Sequence, residues 1–303
     1  MSAATDAPNP QDADLDTVLD RRTAWEKTKT LANKQPLGAF GFAVVLLMVF
    51  MAVFADVITT LDPEDISFGD MLVSPNFDFL LGTDQLGRDI FTRIVYGART
   101  ALLVGITASV VGAFIGLILG VASAYFGGTF DLLFQRFMDV FMAFPLIILA
   151  LAIVSIFGGG VDKVILAITI PFIPRCARVV RSNALAIREI PYVDAARAMG
   201  FSHTRIILRH MVPNVMAPFL IMITAFVGQA ILTEASLSYL GMGVQEPTPA
   251  WGLMLQGGAE EYAESAPWVP IFPGVAITLA VFGFNLFGDA VRDTLDPRLR
   301  SQQ

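Results

Sequence analysis

The sequence predicts an all-α integral membrane protein with six transmembrane helices, and three observations predict it. The 303 residues are 55% hydrophobic and only 16% charged, with mean hydropathy +0.65. A soluble domain carries roughly a quarter charged residues and under half apolar ones. Five charge-free runs of 21 to 31 residues follow one another along the chain, and a bilayer core of about 30 Å takes about 20 residues of helix. The basic residues are distributed unevenly between alternate loops. Composition alone excludes a water-soluble globular enzyme. The net charge of −7 leaves no basic excess to displace counterions, so nucleic acid is not an expected partner. Cys176, the single cysteine, excludes an intrachain disulfide. With His203 and His210 it gives at most three nitrogen or sulfur ligands, short of a structural zinc site.

In chain order, residues 1–35 read as an acidic cytoplasmic tail and pre-membrane segment. The stretch from Asp6 to Asp20 has neither the basic start nor the small-residue cleavage pattern of a signal peptide and reads as a solvated tail. Ala24 to Gln35 can form a short helix at the inner surface. Residues 36–98 hold the first span, within the 21 charge-free residues between Lys34 and Asp56, and an external segment from Thr60 to Ala98. Residues 99–290 hold the other five spans. The second lies in the 31 residues between Arg99 and Asp131, where Gly105, Gly112, Gly116 and Gly120 permit close approach of helices. The third lies in the 22 residues between Asp139 and Asp162 and contains Pro145.

The fourth span is compressed. Val164 to Pro174 is apolar but short, and the helix must continue through Arg175, Arg178 and Arg181, whose spacing lets them share a face and snorkel to an interface. Kinks are expected at Pro145, Pro171 and Pro174. The fifth and sixth spans are the 24-residue runs between Arg209 and Glu234 and between Glu264 and Asp289. Residues 291–303 form a C-terminal tail. With the N-terminus inside, sixteen Lys and Arg lie on the cytoplasmic side and four (Arg88, Arg93, Arg99 and Lys163) lie outside. That asymmetry satisfies the positive-inside rule and places both termini in the cytoplasm.

Three connecting segments exceed the length of simple loops. The internal one, Ser182 to Met211, contains a good helix stretch that Pro191 opens and Gly200 closes. Its Asp194-Ala195-Ala196, followed by Gly200 and Val212-Pro213, resembles the EAA loop of bacterial ABC importer permeases, with Asp194 where that family has Glu. Leu81 to Arg93, Tyr96 to Thr100, Leu237 to Gly252 and Asn285 to Arg298 resemble the signatures of dipeptide, oligopeptide and nickel permeases of the C-subunit type. Glu246 departs from that pattern, since a small residue or Pro is common there. The resemblance runs from about Pro36 to Arg298.

The resemblance implies a type I ABC importer transmembrane domain in the cytoplasmic membrane of a bacterium or archaeon. It implies half of a pore for dipeptides, oligopeptides or glutathione, with nickel or oligosaccharides as alternative cargo. The implied partners are a second, related permease, two cytoplasmic ATPase subunits that bind ATP and Mg, an extracytoplasmic substrate-binding protein, and membrane lipid. The chain itself would be no enzyme and would hold no cofactor or metal. Coupling to the ATPase would fall to Pro191, Tyr192, Asp194, Ala195, Ala196, Met199 and Gly200, with Ala195 and Ala196 allowing close approach of the partner. External docking and gating would fall to Gly82, Asp84, Gly87, Arg88, Asp89, Gly241, Gly243 and Trp251.

Plainer roles compete with these. Asp84, Arg88 and Asp89 can form ordinary surface ion pairs worth little energy and order the external loop. Trp251 and Trp268 can anchor at the membrane interface. Asp139 and Asp289, at inner span ends, can reach water or an arginine. Polar groups inside spans are costly, and Gln229 and Glu234 are the best candidates to line the cargo route. No catalytic triad or carboxylate pair recurs, and no Gly-x-x-x-x-Gly-Lys-Ser/Thr loop is present. An intramembrane enzyme is thereby disfavoured. An ATP-independent carrier or channel would need internal repeats or a line of buried ionisable groups, and neither is evident.

Overall fold

The computed structural model describes residues 35–259 and 261–295, and these are overwhelmingly helical. The acidic tail, the stretch from Ala24 to Lys34, and the tail from residue 296 lie outside the described residues. The only extended pairing among the described residues is an isolated bridge between Thr83 and Asp89.

Helix α1, Pro36–Val53, opens with Pro at its first position, where the missing N–H costs nothing. Helix α2, Ile90–Phe126, has 37 residues and so is about 55 Å long. It begins ten residues before the expected span and takes in the end of the segment from Thr60 to Ala98. Arg93 and Arg99 do not end it, because both find partners within the fold: Arg93 is fully buried, and Arg99 pairs with Asp56 at 2.7 Å. Asp89 caps it by accepting from the Thr92 N–H at 2.8 Å.

Helices α3, Gly128–Met142, and α4, Leu146–Phe157, are separated at the Pro145 break and bent by 87°. Where one continuous third span is expected, the chain forms a sharply bent helix pair, the geometry of a broken span or of a re-entrant loop. Helix α5, Val161–Arg188, runs unbroken through Pro171 and Pro174, so neither proline ends it. Both prolines are buried. Helix α6 is Pro191–Ala198. Short irregular turns over residues 203–215 lead into α7, Met216–Tyr239. Helix α8, Trp251–Ala259, and α9, Trp268–Leu295, complete the chain.

Among the described residues four helices are long and apolar enough to cross a membrane: α1, α2, α7 with its lead-in, and α9. The α3–α4 pair makes a fifth if taken as one bent span. Small residues set the packing. Along α2, a Cβ on Gly112 would lie 2.9 Å from Phe172, one on Gly116 2.6 Å from Cys176, and one on Gly120 2.5 Å from the Ala177 carbonyl. Helices α2 and α5 therefore approach nearly backbone to backbone, as the glycine spacing predicts. Helix α9 packs against α1 and α7. Large apolar side chains such as Phe114, Phe137, Ile148 and Ile156 stay exposed on the outer faces, which suits a hydrocarbon solvent.

Candidate functional site

Two groups of sequence-predicted residues lie at opposite ends of the bundle. At the end where α2 begins and α7 stops, two loops meet. Gly82 and Gly87 adopt φ of +77° and +74°, a region open to glycine and strained for other residues. Between them Asp84 folds the turn, its Oδ1 accepting the Leu86 and Arg88 N–H groups at 2.8 and 3.0 Å. Its Oδ2 accepts from Arg88 Nε at 2.7 Å. Arg88 then reaches across to Glu246, Nη1 and Nη2 donating at 2.7 and 3.2 Å. Arg93, 0% exposed, donates from Nη1 to the Pro63 carbonyl at 3.0 Å and faces Asp84 and Glu246 at 3.9 and 3.6 Å.

The expected surface ion pair is thus a cluster of two arginines and two carboxylates, buried at Asp84, Arg88 and Arg93 and open to solvent at Glu246. The correction has a simple cause. Asp89 is taken up in capping α2, which leaves two cations near one local acid, and Glu246 supplies the missing charge from the other loop. Glu246 was legible only as a departure from the family pattern. In the sequence Asp84 and Asp89 already match Arg88 and Arg93 in number, so no local charge count points to Glu246.

The second loop is tied down as closely. Gly241 has φ +74°, and a Cβ on Gly243 would lie 2.1 Å from Ser238 Oγ. Ser238 Oγ donates to Glu234 at 2.7 Å and accepts the Val244 N–H at 3.1 Å. Glu234, 2% exposed, therefore supports this loop and does not line an open route, contrary to expectation. Trp251 is buried, donating from Nε1 to the Ile94 carbonyl at 3.0 Å. It packs so closely on α2 that a Cβ on Gly97 would lie 2.6 Å from its ring. It is no interfacial anchor. Trp268 is also engaged, donating to the Thr83 carbonyl at 3.2 Å. Beside this cluster, Asp56 accepts from Arg99 at 2.7 Å and Tyr96 at 2.6 Å. The Arg99 guanidinium and the Tyr96 hydroxyl hold its carboxyl down at about 2.

At the other end α6 forms over the expected residues. Asp194 sits in its first turn and Arg197 in its last, bridged at 2.9 Å, which suits the helix dipole at both ends. Gly200, with φ +75°, turns the chain away. Val193 and Ala196 point inward, Ala196 being 1% exposed. Tyr192, Asp194, Ala195, Ala198 and Met199 face outward. Ala196 thus packs into this chain's own core, and only Ala195 keeps the open position expected of both alanines. Tyr192 anchors the lead-in to α7, donating to the His210 carbonyl at 3.1 Å and accepting from Asn214 at 3.0 Å. Arg197 also lies over the Tyr125 ring at 5.2 Å.

Between the two ends, the arginine row of α5 is answered one residue at a time. Arg181 pairs with Asp131, Nε to Oδ1 at 2.6 Å, and Arg178 pairs with Asp139. Arg175 donates to Gln229 of α7 at 3.2 Å. Asp139 meets an arginine as expected. The pairing of Gln229 was not foreseen. Among the described residues no group of three or more His, Cys, Asp or Glu is placed to hold a metal ion.

This arrangement of helices resembles known structures. Chains of the inward-facing MetNI methionine ABC transporter superpose with TM-scores of 0.54 and 0.55 at 21% and 20% identity. They cover 67% and 68% of this chain and 96% and 98% of theirs. Residues 112–301 match the family model of the binding-protein-dependent transport system inner membrane component. The chain belongs to that family. Its relatives extend the match along nearly the whole length. A Brucella abortus protein named for peptide transport is 45% identical over 262 residues, 86% of this chain and 88% of its own. The dipeptide transport system permease protein of Alkalihalophilus pseudofirmus is 40% identical over 302 residues, 99% and 97% of the two chains. The glutathione transport system permease protein of Pectobacterium atrosepticum is 39% identical over 292 residues, 95% and 97%. As an inner membrane component, the chain is a multi-pass permease subunit of a transport system. The helical bundle carries the family's fold, and the two built ends bracket it.

Proposed function

We propose that this chain is half of the pore of an ATP-driven importer of peptides, dipeptides or glutathione-like molecules among them, delivered by an external binding protein. The observation that carries the cargo reading is 40% identity across 302 residues to a dipeptide permease, with two further relatives named for peptide and glutathione transport. In this reading α5 is the sixth span, with Arg181 and Arg178 neutralised by Asp131 and Asp139 and Arg175 hydrogen-bonded to the neutral Gln229, and both termini lie in the cytoplasm as the basic residues require.

The exposed face of α6 meets a cytoplasmic ATPase. An eight-residue helix is about 12 Å long, short enough to move as one body in a partner's groove. The chain holds no nucleotide; two partner subunits bind ATP and Mg and hydrolyse the ATP. A second, related permease completes the pore. At the external end the Asp84–Arg88–Arg93–Glu246 cluster locks two loops together, so that a binding protein docking on one moves the other.

Affinity purification of the tagged chain from its native membrane tests the assembly. Two ATPase subunits and a second, non-identical permease should co-purify in stoichiometric amount. A chain that purifies alone or only as a homodimer would contradict the reading.

A further inference from the structure

Arg175 is the fifteenth of the 28 residues of α5, which puts it about 20 Å from either end and within the span that α5 makes in the proposed reading. A charge at that depth is expensive and marks a functional position by default. Arg178 and Arg181, nearer the helix end, are each matched by a carboxylate of α3. Arg175 is not. No acidic side chain among the described residues pairs with it, and its one hydrogen bond goes from Nη1 to the neutral Oε1 of Gln229 at 3.2 Å. A guanidinium carries five N–H donors in a rigid fork, and Nε and Nη2 here are not enclosed by protein. The side chain is half-buried. Within one turn of Gln229 the exposed positions of α7 are Ala225 and Leu232, so Arg175 meets an apolar face with no carboxylate of its own.

We propose that Arg175, positioned by Gln229, is a transit site for the free carboxylate of a peptide passing through the pore; this rests on the peptide-importer reading above. A guanidinium fork matches a carboxylate with two parallel hydrogen bonds, and every unblocked peptide carries one such group at its C-terminus. The amide of Gln229 holds the fork in place between passages without neutralising it. A carboxylate from the protein itself would close the site permanently. A neutral, 3.2 Å partner is one that an anion displaces readily, and a passage needs binding strong enough to enter and weak enough to leave.

The test uses the assembled importer in liposomes, with its binding protein and ATP, and one labelled dipeptide as its free acid and as its C-terminal amide. The ratio of the two uptake rates is compared between variants, so that selection by the binding protein cancels. In R175Q the acid-to-amide ratio should fall about tenfold relative to the parent. Q229E, which keeps the arginine but pairs it internally, should reproduce that fall. R175K should keep most of the preference, and binding-protein-stimulated ATP hydrolysis should persist in all three. An unchanged ratio in Q229E and R175Q overturns the proposal. So does loss of the second permease from R175Q preparations with rescue by R175K and no change of ratio, which would assign Arg175 to an acid of the partner. If the parent importer takes up neither peptide above the vesicle blank, the peptide reading fails and the proposal falls with it.

Discussion

Replacing Asp84 by Asn changes one atom and removes the most central charge of the external cluster. The Asn carbonyl can still accept the Leu86 and Arg88 N–H groups that Asp84 binds at 2.8 and 3.0 Å, so the turn itself survives. What is lost is the charge opposite Arg88 and Arg93, whose side chains are 4% and 0% exposed. Breaking a buried ion pair costs about 3–5 kcal/mol, and the retained backbone bonds favour the lower figure. Glu246 is 45% exposed, so water screens its loss, and Glu246→Gln should cost about 1 kcal/mol or less. By the scaling of soluble domains, 1 kcal/mol moves Tm by about 2–4 °C at this size. D84N should therefore fall about 6–12 °C and E246Q about 2–4 °C at most. The assay is thermal unfolding of the purified chain in detergent, run at one fixed scan rate because such unfolding is irreversible. The double variant D84N/R88Q restores charge balance and should recover part of the loss. Equal shifts for D84N and E246Q, or none for either, would refute the account of a buried cluster with one screened member.

Further outcomes follow from the same geometry. Gly243→Val places a Cβ 2.1 Å from Ser238 Oγ, so the loop must shift, at about 1–3 kcal/mol; transport and binding-protein-stimulated ATP hydrolysis should drop together, and unchanged stimulation in a folded variant counts against a docking role. Ala195→Trp sits on the open face of α6 and should leave stability within about 0.5 kcal/mol while ATPase co-purification is lost. Ala196→Trp overfills the chain's own core and should lower Tm first; identical behaviour of the two would contradict the assigned faces. Gly116→Leu must push α5 off α2 and should abolish accumulation in the membrane, so wild-type levels would show that this contact is not limiting. For Asp56, held at about 2 against an ordinary 3.8, the pairing with Arg99 is fully present above about pH 4 and lost as pH falls through 2; a carboxyl NMR titration with its midpoint near 4 would remove the assigned cause.

The bundle was legible because the signals for it are long. Charge-free runs of 21 or more residues and a glycine at every fourth position fix where helices lie and which of them touch. Helix ends were less legible wherever a charge stood at the boundary. Arg93 and Arg99 look like the edge of the second span, but partners 30 to 153 residues away absorb them, and periodicity carries no trace of such partners. The α6 helix could be read from Pro191 and Gly200, whose backbone roles are local. The face of Ala196 could not, because two adjacent alanines look alike until the core beside them is placed. Glu246 and Arg175 were missed for one reason. Their importance lies in which charges elsewhere are already paired, and that balance exists only once the loops and helices have met.

Uptake by purified components tests the central claim most directly. The chain should be placed in liposomes alone, and in parallel with the second permease, the two ATPase subunits and the binding protein, each with ATP and a labelled dipeptide. Uptake should match empty vesicles for the chain alone, rise severalfold in the full assembly, and vanish there when ATP is omitted. Uptake by the chain alone, or by the full assembly without ATP, would contradict the claim that this subunit is half of an ATP-driven pore.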